Sequence, residues 1–197
     1  MTEKEKMLNG KPYQAFGEEL TNERQYAKEL LFDFNSARPS ETAHQKEIIK
    51  KLFGHIAGDF HIEAPFRCDY GYTISIGTNF YSNYNCTILD CAKVTIGDNV
   101  MFAPNVSLFT AGHPIHHEPR NKGIEYAFPI TIGNNVWIGG GAIVNPGITI
   151  GDNVVIGAGS VVTKDIPPNV VAVGNPCKVV KVIEDGDKGK YFKDLVI

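Results

Sequence analysis

Aliphatic residues recur at every sixth position of this chain. Ile132, Ile138, Val144, Ile150, Ile156 and Val162 form an unbroken series, and Ile96, Phe102 and Leu108 take the same step earlier. Looser echoes fall at Tyr70, Ile76 and Ile88. A small or turn-forming residue follows each anchor: Gly97, Ala103, Gly133, Gly139, Asn145, Gly151, Gly157, Thr163. Four positions after each anchor stands another apolar or small residue, such as Val100, Val106, Val136, Ala142, Val154 or Ser160. Helices repeat every 3.6 residues and strands every two, so neither alone sustains a strict period of six. A short strand plus a turn does. The pattern predicts a coil whose sides are one hexad long, with anchors pointing inward and successive coils sharing one apolar core. Gly-Asp-Asn and Gly-Asn-Asn at Gly97–Asn99, Gly133–Asn135 and Gly151–Asn153 supply corner residues that tolerate positive φ.

Glycine divides the 197-residue chain: 4 of its 20 glycines lie in residues 1–60 and the other 16 beyond. The first segment reads as helical. Thr2-Glu3-Lys4-Glu5 has capping-box spacing, with Gly10 as a stop. A second helix is expected to start near Thr21 or Asn22, to face inward with Tyr26, Leu30, Leu31 and Phe34, and to end at Asn35 or Pro39. A third is expected from Ser40, aligning Ile48, Leu52, Phe53 and Ile56. The organisation that follows is a helical segment over 1–58, a coil over 59–177 with an inserted loop at 109–130, and a charged tail over 178–197. With a net charge of −3, nucleic acid and anionic lipid are not expected as main partners. Four cysteines without a C-x-x-C pair suggest neither a disulfide framework nor a zinc ribbon. The N-terminus carries both charge signs and no apolar stretch follows it, so no signal peptide or membrane span is expected and the protein is expected in the cytoplasm.

With the hexads in view, the chain resembles the hexapeptide-repeat acyltransferases and, nearly end to end, the maltose and galactoside O-acetyltransferases. The resemblance is carried by the helical N-terminal segment, Phe66–Asn85, the Thr110–His117 loop and Ile130–Pro176. It implies a mainly β fold, a left-handed parallel β-helix with a small helical segment. It also implies a homotrimer, acetyl-CoA as donor and a hydroxyl of a sugar or similar small molecule as acceptor. An acyltransferase for an antibiotic or amino-sugar is the alternative within enzymology. A non-catalytic or metal-binding β-helix is the alternative outside it.

The repeat breaks once, between Leu108 and Ile132, and the irregular span holds His113, His116 and His117, half of the chain's six histidines. A long excursion inside a regular solenoid is usually functional or disordered. His113, between Gly112 and Pro114, is the candidate general base, since a neutral imidazole can take a hydroxyl proton at pH 7. The matching histidine of the resembled family has this role. A loop histidine satisfied by backbone is the bland alternative. His-x-x-His-His could hold zinc in principle, but ligands of that kind on a β-helix come from different coils, so no metal is expected. His116 and His117 are expected to shape the loop or the acceptor pocket.

The remaining site residues follow from the resemblance. Asn83 matches an asparagine that contacts the acceptor and steadies the transition state, where an amide can both donate and accept. Asp69 occupies an acceptor-contact position that is serine in galactoside members. Cys91 replaces an aspartate of those enzymes, and Ala15 stands where they carry another. For the donor, Gly140 matches the residue whose backbone N–H meets the thioester. Ala158, Thr163 and Lys164 match pantetheine and phosphate contacts. Lys178 and Lys181 fall where relatives place arginine near the adenosine phosphates, keeping the charge without the bidentate fork. Cys68, Cys86 and Cys91 read as small core fillers, although an acetyl-cysteine intermediate is chemically conceivable. Trp137 and the aromatics of 66–84 read as packing or pocket walls.

Overall fold

Each hexad folds as a strand of two to four residues and a corner, and three hexads complete one turn. The computed structural model describes residues 1–192 and 195–196; residues 193, 194 and 197 of the expected tail lie outside the described residues. The first face stacks His55–Ile56, Ile74–Ile76, Val94–Ile96, Ile130–Ile132 and Thr149–Ile150. The second stacks Phe60–Ile62, Phe80–Ser82, Met101–Phe102, Trp137–Ile138, Val154–Ile156 and Val170–Val173. Phe66–Cys68, Cys86–Leu89, Ser107–Phe109, Ile143–Val144 and Val161–Val162 make the third. All these neighbours pair in parallel, giving a three-sided parallel β-helix of about six turns, the mainly β architecture expected.

The registers stack anchor on anchor. Ile76, Ile96, Ile132 and Ile150 form one column, Phe102, Ile138 and Ile156 a second, and Ile88, Leu108, Val144 and Val162 a third. All are buried in one continuous core. Burying such a side chain contributes about 1.5–3 kcal/mol relative to leaving it in water, so three columns running the length of the helix dominate its stability. Tyr70 departs from the expected column: it is buried in a separate cluster with Tyr13, Leu20, Cys91 and Ala127.

The corner triplets divide their labour. The asparagines take the left-handed backbone, with φ of 56° at Asn99, 57° at Asn135 and 54° at Asn153. The leading glycines serve close approach instead. A Cβ on Gly97 would lie 2.8 Å from the Gly133 carbonyl carbon of the next coil, and one on Gly139 would lie 2.5 Å from the Ala158 nitrogen.

The second and third N-terminal helices plug the first coil, and the first packs against the inserted segment. Glu3–Leu8 carries the expected capping box, with Thr2 Oγ1 accepting from Glu5 N and Thr2 N donating to Glu5 Oε2, and Gly10 follows at φ 66°. The second helix starts earlier than expected, running Glu18–Ser36 from Gly17 without a side-chain cap. Its buried stripe is Leu20, Ala27, Leu31 and Phe34, while Tyr26 faces solvent. The third spans Thr42–Leu52; Phe53 is its extended C-cap and Ile56 already belongs to the first strand of the coil. Phe34, Ile49 and Leu52 join the same core as Phe60, Phe66 and Ile74. Asn35 ties the helix to the coil twice, donating to Phe66 O at 3.0 Å and accepting from Phe66 N at 2.9 Å.

The inserted span is more ordered than its sequence suggests. Ala111–Gly112 and Tyr13–Gln14 flank Ile124–Ala127 in a three-stranded antiparallel sheet, with a short helix at His117–Asn121 between. In the expected tail, Lys178–Val182 pairs antiparallel with Val170–Val173 and extends the second face.

Candidate active site

The small antiparallel sheet fixes His113. Gly112 opposes Tyr126, which turns the next residue toward the carbonyl of Ile124. His113 Nδ1 lies 3.1 Å from that oxygen. A carbonyl can only accept, so Nδ1 carries the proton and a neutral ring presents Nε2 as a bare lone pair. The ring is half exposed, and Nε2 stands 3.9 Å from Oε1 of Glu125. The other Glu125 oxygen, Oε2, accepts from the buried Tyr13 hydroxyl at 2.7 Å.

Behind this pair lies the corner between the third and first faces. Asp90 is fully buried and accepts from the backbone N–H groups of Asp69, Tyr70 and Gly71 at 2.9, 2.8 and 2.7 Å, and from the Thr73 hydroxyl at 2.7 Å. Burial pushes its carboxyl above the ordinary range even against those bonds. They lock the corner that carries Asp69, whose Oδ2 meets the Cys91 thiol at 3.4 Å. The Asp69 carboxyl is also raised, first by burial and then by the neighbouring Asp90 charge. His113, Glu125, Tyr13, Cys91 and Asp69 thus form one connected group, since Tyr13 touches both Glu125 and Cys91. Ala15 lies buried beside it and its carbonyl accepts from Arg24.

Asn83 sits elsewhere. The backbone bonds Asn83 N to Phe102 O, Ala103 N to Ile138 O and Gly139 N to Ile156 O define a different corner, between the second and third faces. Gly140 and Ala158 occupy this same corner, and neither backbone N–H has a partner among the described residues. Asn83 Oδ1 accepts from Tyr84 N, and its side-chain N–H groups have no partner among the described residues. The whole third face separates this corner from His113. At about 3.3 Å per extended residue, a hexad spans at most about 20 Å. Among the described residues no hydrogen bond or ion pair joins Asn83 to His113.

Thr163 and Lys164 are exposed at the third–first corner, on the same side as His113. Lys178 is exposed opposite Val173, and Lys181 is paired with Asp187. Trp137 is half exposed on the outer side of the second face, outside the core of the chain. His116 accepts from Glu118 N and caps the short helix, with His117 stacked on it at 4.6 Å. Among the described residues no three His, Cys, Asp or Glu side chains gather in a metal-binding group. All four cysteines are buried and free. Burial pushes the Cys86 thiol up to about 12 and raises Cys68, Cys91 and Cys177 as well, so none offers the thiolate that an acetyl-cysteine needs.

Glu125 and Tyr13 escaped the sequence reading. The available signal was the alternation in Gly123-Ile-Glu-Tyr-Ala127 after a glycine, which marks a strand within a span read as irregular.

Comparison with known proteins agrees with this fold. The maltose acetyltransferase hexapeptide capping motif matches residues 6–58, and six bacterial transferase hexapeptides match 129–164. The galactoside O-acetyltransferase of Escherichia coli K12 is 53% identical over 98% of this chain and 95% of its own length. A galactoside acetyltransferase solved with coenzyme A superposes with a TM-score of 0.97 at 52% identity, covering 100% of this chain and 98% of that one. A maltose O-acetyltransferase from Clostridium difficile 630 gives 0.92 at 60% identity, covering 94% and 99%. With that identity over its full length, a β-helix of hexapeptides and the capping helices in place, the chain belongs to the maltose and galactoside O-acetyltransferase family.

Proposed function

We propose that this protein moves the acetyl group of acetyl-CoA to a hydroxyl of a sugar or similar small acceptor, with His113 as general base. The observation that carries the reading is the Nδ1–H···O=C bond to Ile124, which presents Nε2 of a neutral ring on the one insertion in the coil. The acceptor oxygen attacks the thioester carbonyl while its proton passes to Nε2. The tetrahedral oxyanion is met by a backbone N–H at Gly140 and by the Asn83 amide. Collapse breaks the C–S bond, and the imidazolium returns the proton to the departing thiolate as free CoA-SH. Asp69 and Cys91 line the acceptor side. Ala158, Thr163, Lys164, Lys178 and Lys181 follow the donor, with Lys181 competing between a phosphate and Asp187.

This chemistry requires Asn83 and Gly140 to come from a second copy, because both lie across the third face from His113. A homotrimer around a three-fold axis supplies that copy for every site. The outer side of the second face supports it: Tyr81, Met101, Trp137, Val155 and Val171 are aligned strand to strand, with Met101 and Trp137 each half exposed. Such a stripe beside the Asn83 corner suits burial between subunits. No helix among the described residues is long and apolar enough to cross a membrane. With four unbridged cysteines, a reducing cytoplasm is the compartment we assign.

A panel of glucosides, galactosides and maltose with acetyl-CoA, read by free-thiol release, tests the activity, and sedimentation tests the assembly. Thiol release with at least one sugar from a trimer is expected. A clean monomer at micromolar concentration with full activity would refute the shared site.

A further inference from the structure

The backbone that orients His113 is itself held from the far end of the chain. Gln14 stands directly opposite Ile124, and Tyr13 opposite Glu125, in the antiparallel pair that closes the small sheet. In such a pair every second residue turns its N–H and C=O away from the partner strand. Gln14 does so toward the first helix, donating its N–H to Glu3 Oε2 at 2.6 Å. Ile124 does so toward His113, where its carbonyl receives Nδ1–H. The two residues make one rung, with Glu3 at one end and the imidazole at the other. Gln14 also crosses the rung, its Nε2 donating to Lys122 O at 2.9 Å.

A two-residue strand has little hold of its own, so side chains supply the rest. Lys6 Nζ donates to the second oxygen of Glu3 at 2.5 Å, and Lys4 Nζ to Glu23 of the second helix, also at 2.5 Å. Met7, Tyr13, Ala15 and Leu20 are buried with Tyr70, Cys91, Ala92 and Ala127 in a cluster of their own. Among the described residues, the core of the coil contains nothing ahead of Ala27. The segment before the second helix thus adds nothing to the columns that stabilise the coil, and its contacts bear on the insertion instead.

We infer that Glu3 is a positioning residue for the catalytic base: by holding Gln14 it sets the place of the Ile124 carbonyl, and through it the tautomer and aim of the His113 ring. This rests on the general-base reading above. Without the Glu3 carboxylate, the N–H of Gln14 turns to water and the short strand is free to shift with the insertion. A base displaced by about 1 Å can lose about 10²-fold in turnover. Gly140 and Ala158 lie on another corner, out of reach of this change.

The experiment is a double-mutant cycle between Glu3 and His113 in the full chain, with kcat and both KM values read by free-thiol release well below Tm. Glu3→Ala should lower kcat by about tenfold, short of the loss from a full displacement, with both KM values within about twofold. Glu3→Gln keeps an oxygen for the Gln14 N–H and should stay within about threefold of wild type. Glu3→Asp keeps an acid in the first helical turn but falls a methylene short of Gln14. It should lose as much as Glu3→Ala, and it decides the matter if that variant does not fold. In a His113→Ala background, already about 10²–10⁴-fold slower, either substitution should cost nothing further, because the ring that Glu3 aims is gone. Wild-type kcat in Glu3→Ala and Glu3→Asp would overturn the inference alone. An equal loss in both backgrounds would also overturn it, making Glu3 a residue of the fold and not of the base. Near-normal turnover in His113→Ala would overturn the general-base reading itself, and the inference with it.

Discussion

Adjacent glycines at the second–third corner should respond to the same methyl group in opposite ways. On Gly139 a Cβ would meet backbone on three sides: Ala158 N at 2.5 Å, Ile156 O at 2.8 Å and the Gly157 carbonyl carbon at 2.9 Å. None of these is a flexible side-chain end, so the coils must part, and the bond from Gly139 N to Ile156 O at 2.7 Å is strained with them. Overpacking costs about 1–3 kcal/mol and a weakened hydrogen bond about 0.5–1.5 kcal/mol, so Gly139→Ala should destabilise by about 2–4 kcal/mol. At about 2–4 °C per kcal/mol for a chain of this size, Tm should fall by about 5–15 °C. On Gly140 the same Cβ finds only Pro104 O at 3.3 Å and the Ala103 Cβ at 4.0 Å, and the residue lies outside the left-handed region. The entropy gain of about 0.4–1 kcal/mol offsets the mild crowding, and Tm should move by no more than about 4 °C. Gly140→Ala should instead lower thioester turnover by about 10–100-fold, since a lost oxyanion donor costs about 10²–10³ and a methyl obstructs without removing it. Thermal unfolding followed by circular dichroism, at fixed protein concentration because assembly shifts Tm, is read beside thiol release. Equal Tm losses in both variants would refute the close-approach account of the leading glycines. Full activity in Gly140→Ala would remove Gly140 from the donor site.

His113→Ala should lower kcat by about 10²–10⁴, or about 3–5 kcal/mol of barrier, with sedimentation and CoA affinity retained; near-normal turnover would exclude it as the base. Asp69 has a folded-state carboxyl raised by burial and by Asp90, so its ionised form burdens the fold at neutral pH. Protonation relieves that burden as pH falls through the raised value toward the ordinary 3.8. Asp69→Asn should therefore have a higher Tm than wild type at pH 7, the gap closing as pH approaches 4, and a gap that widens on acidification would reverse the assignment.

The fold was legible because its rule is local and repeated. A hexad anchor needs only its own turn and the coil above to be buried, so Ile132 through Val162 predicted their columns without knowledge of distant contacts. The helices were less legible for the opposite reason. Gly17 caps nothing with a side chain, so the second helix begins where no signal stands, and helix N-termini lacking Ser, Thr, Asp or Asn give the pattern little to hold. Tyr26 fell on the predicted stripe, yet tertiary docking rotated the buried face toward Leu20 and Ala27. Phe53 and Ile56 continued an apolar spacing that belongs to two different elements.

The candidate site divides along the same line. Residues in the repeat register, such as Asn83 and Gly140, could be placed on a corner by counting, but counting does not tell which corner the insertion's histidine faces. That relation is set by Ala111–Gly112 and Tyr13–Gln14 pairing with Ile124–Ala127, contacts that join residue 13 to residue 125 and have no periodic trace. Glu125 is therefore the residue that a sequence pattern hides most completely. Its neighbours in sequence suggest an ordinary edge strand. Only the closure of the three-stranded sheet brings its carboxylate opposite His113 and under the Tyr13 hydroxyl. A solenoid fixes where chemistry can sit through its repeats, and it selects the chemistry through the one segment that leaves them.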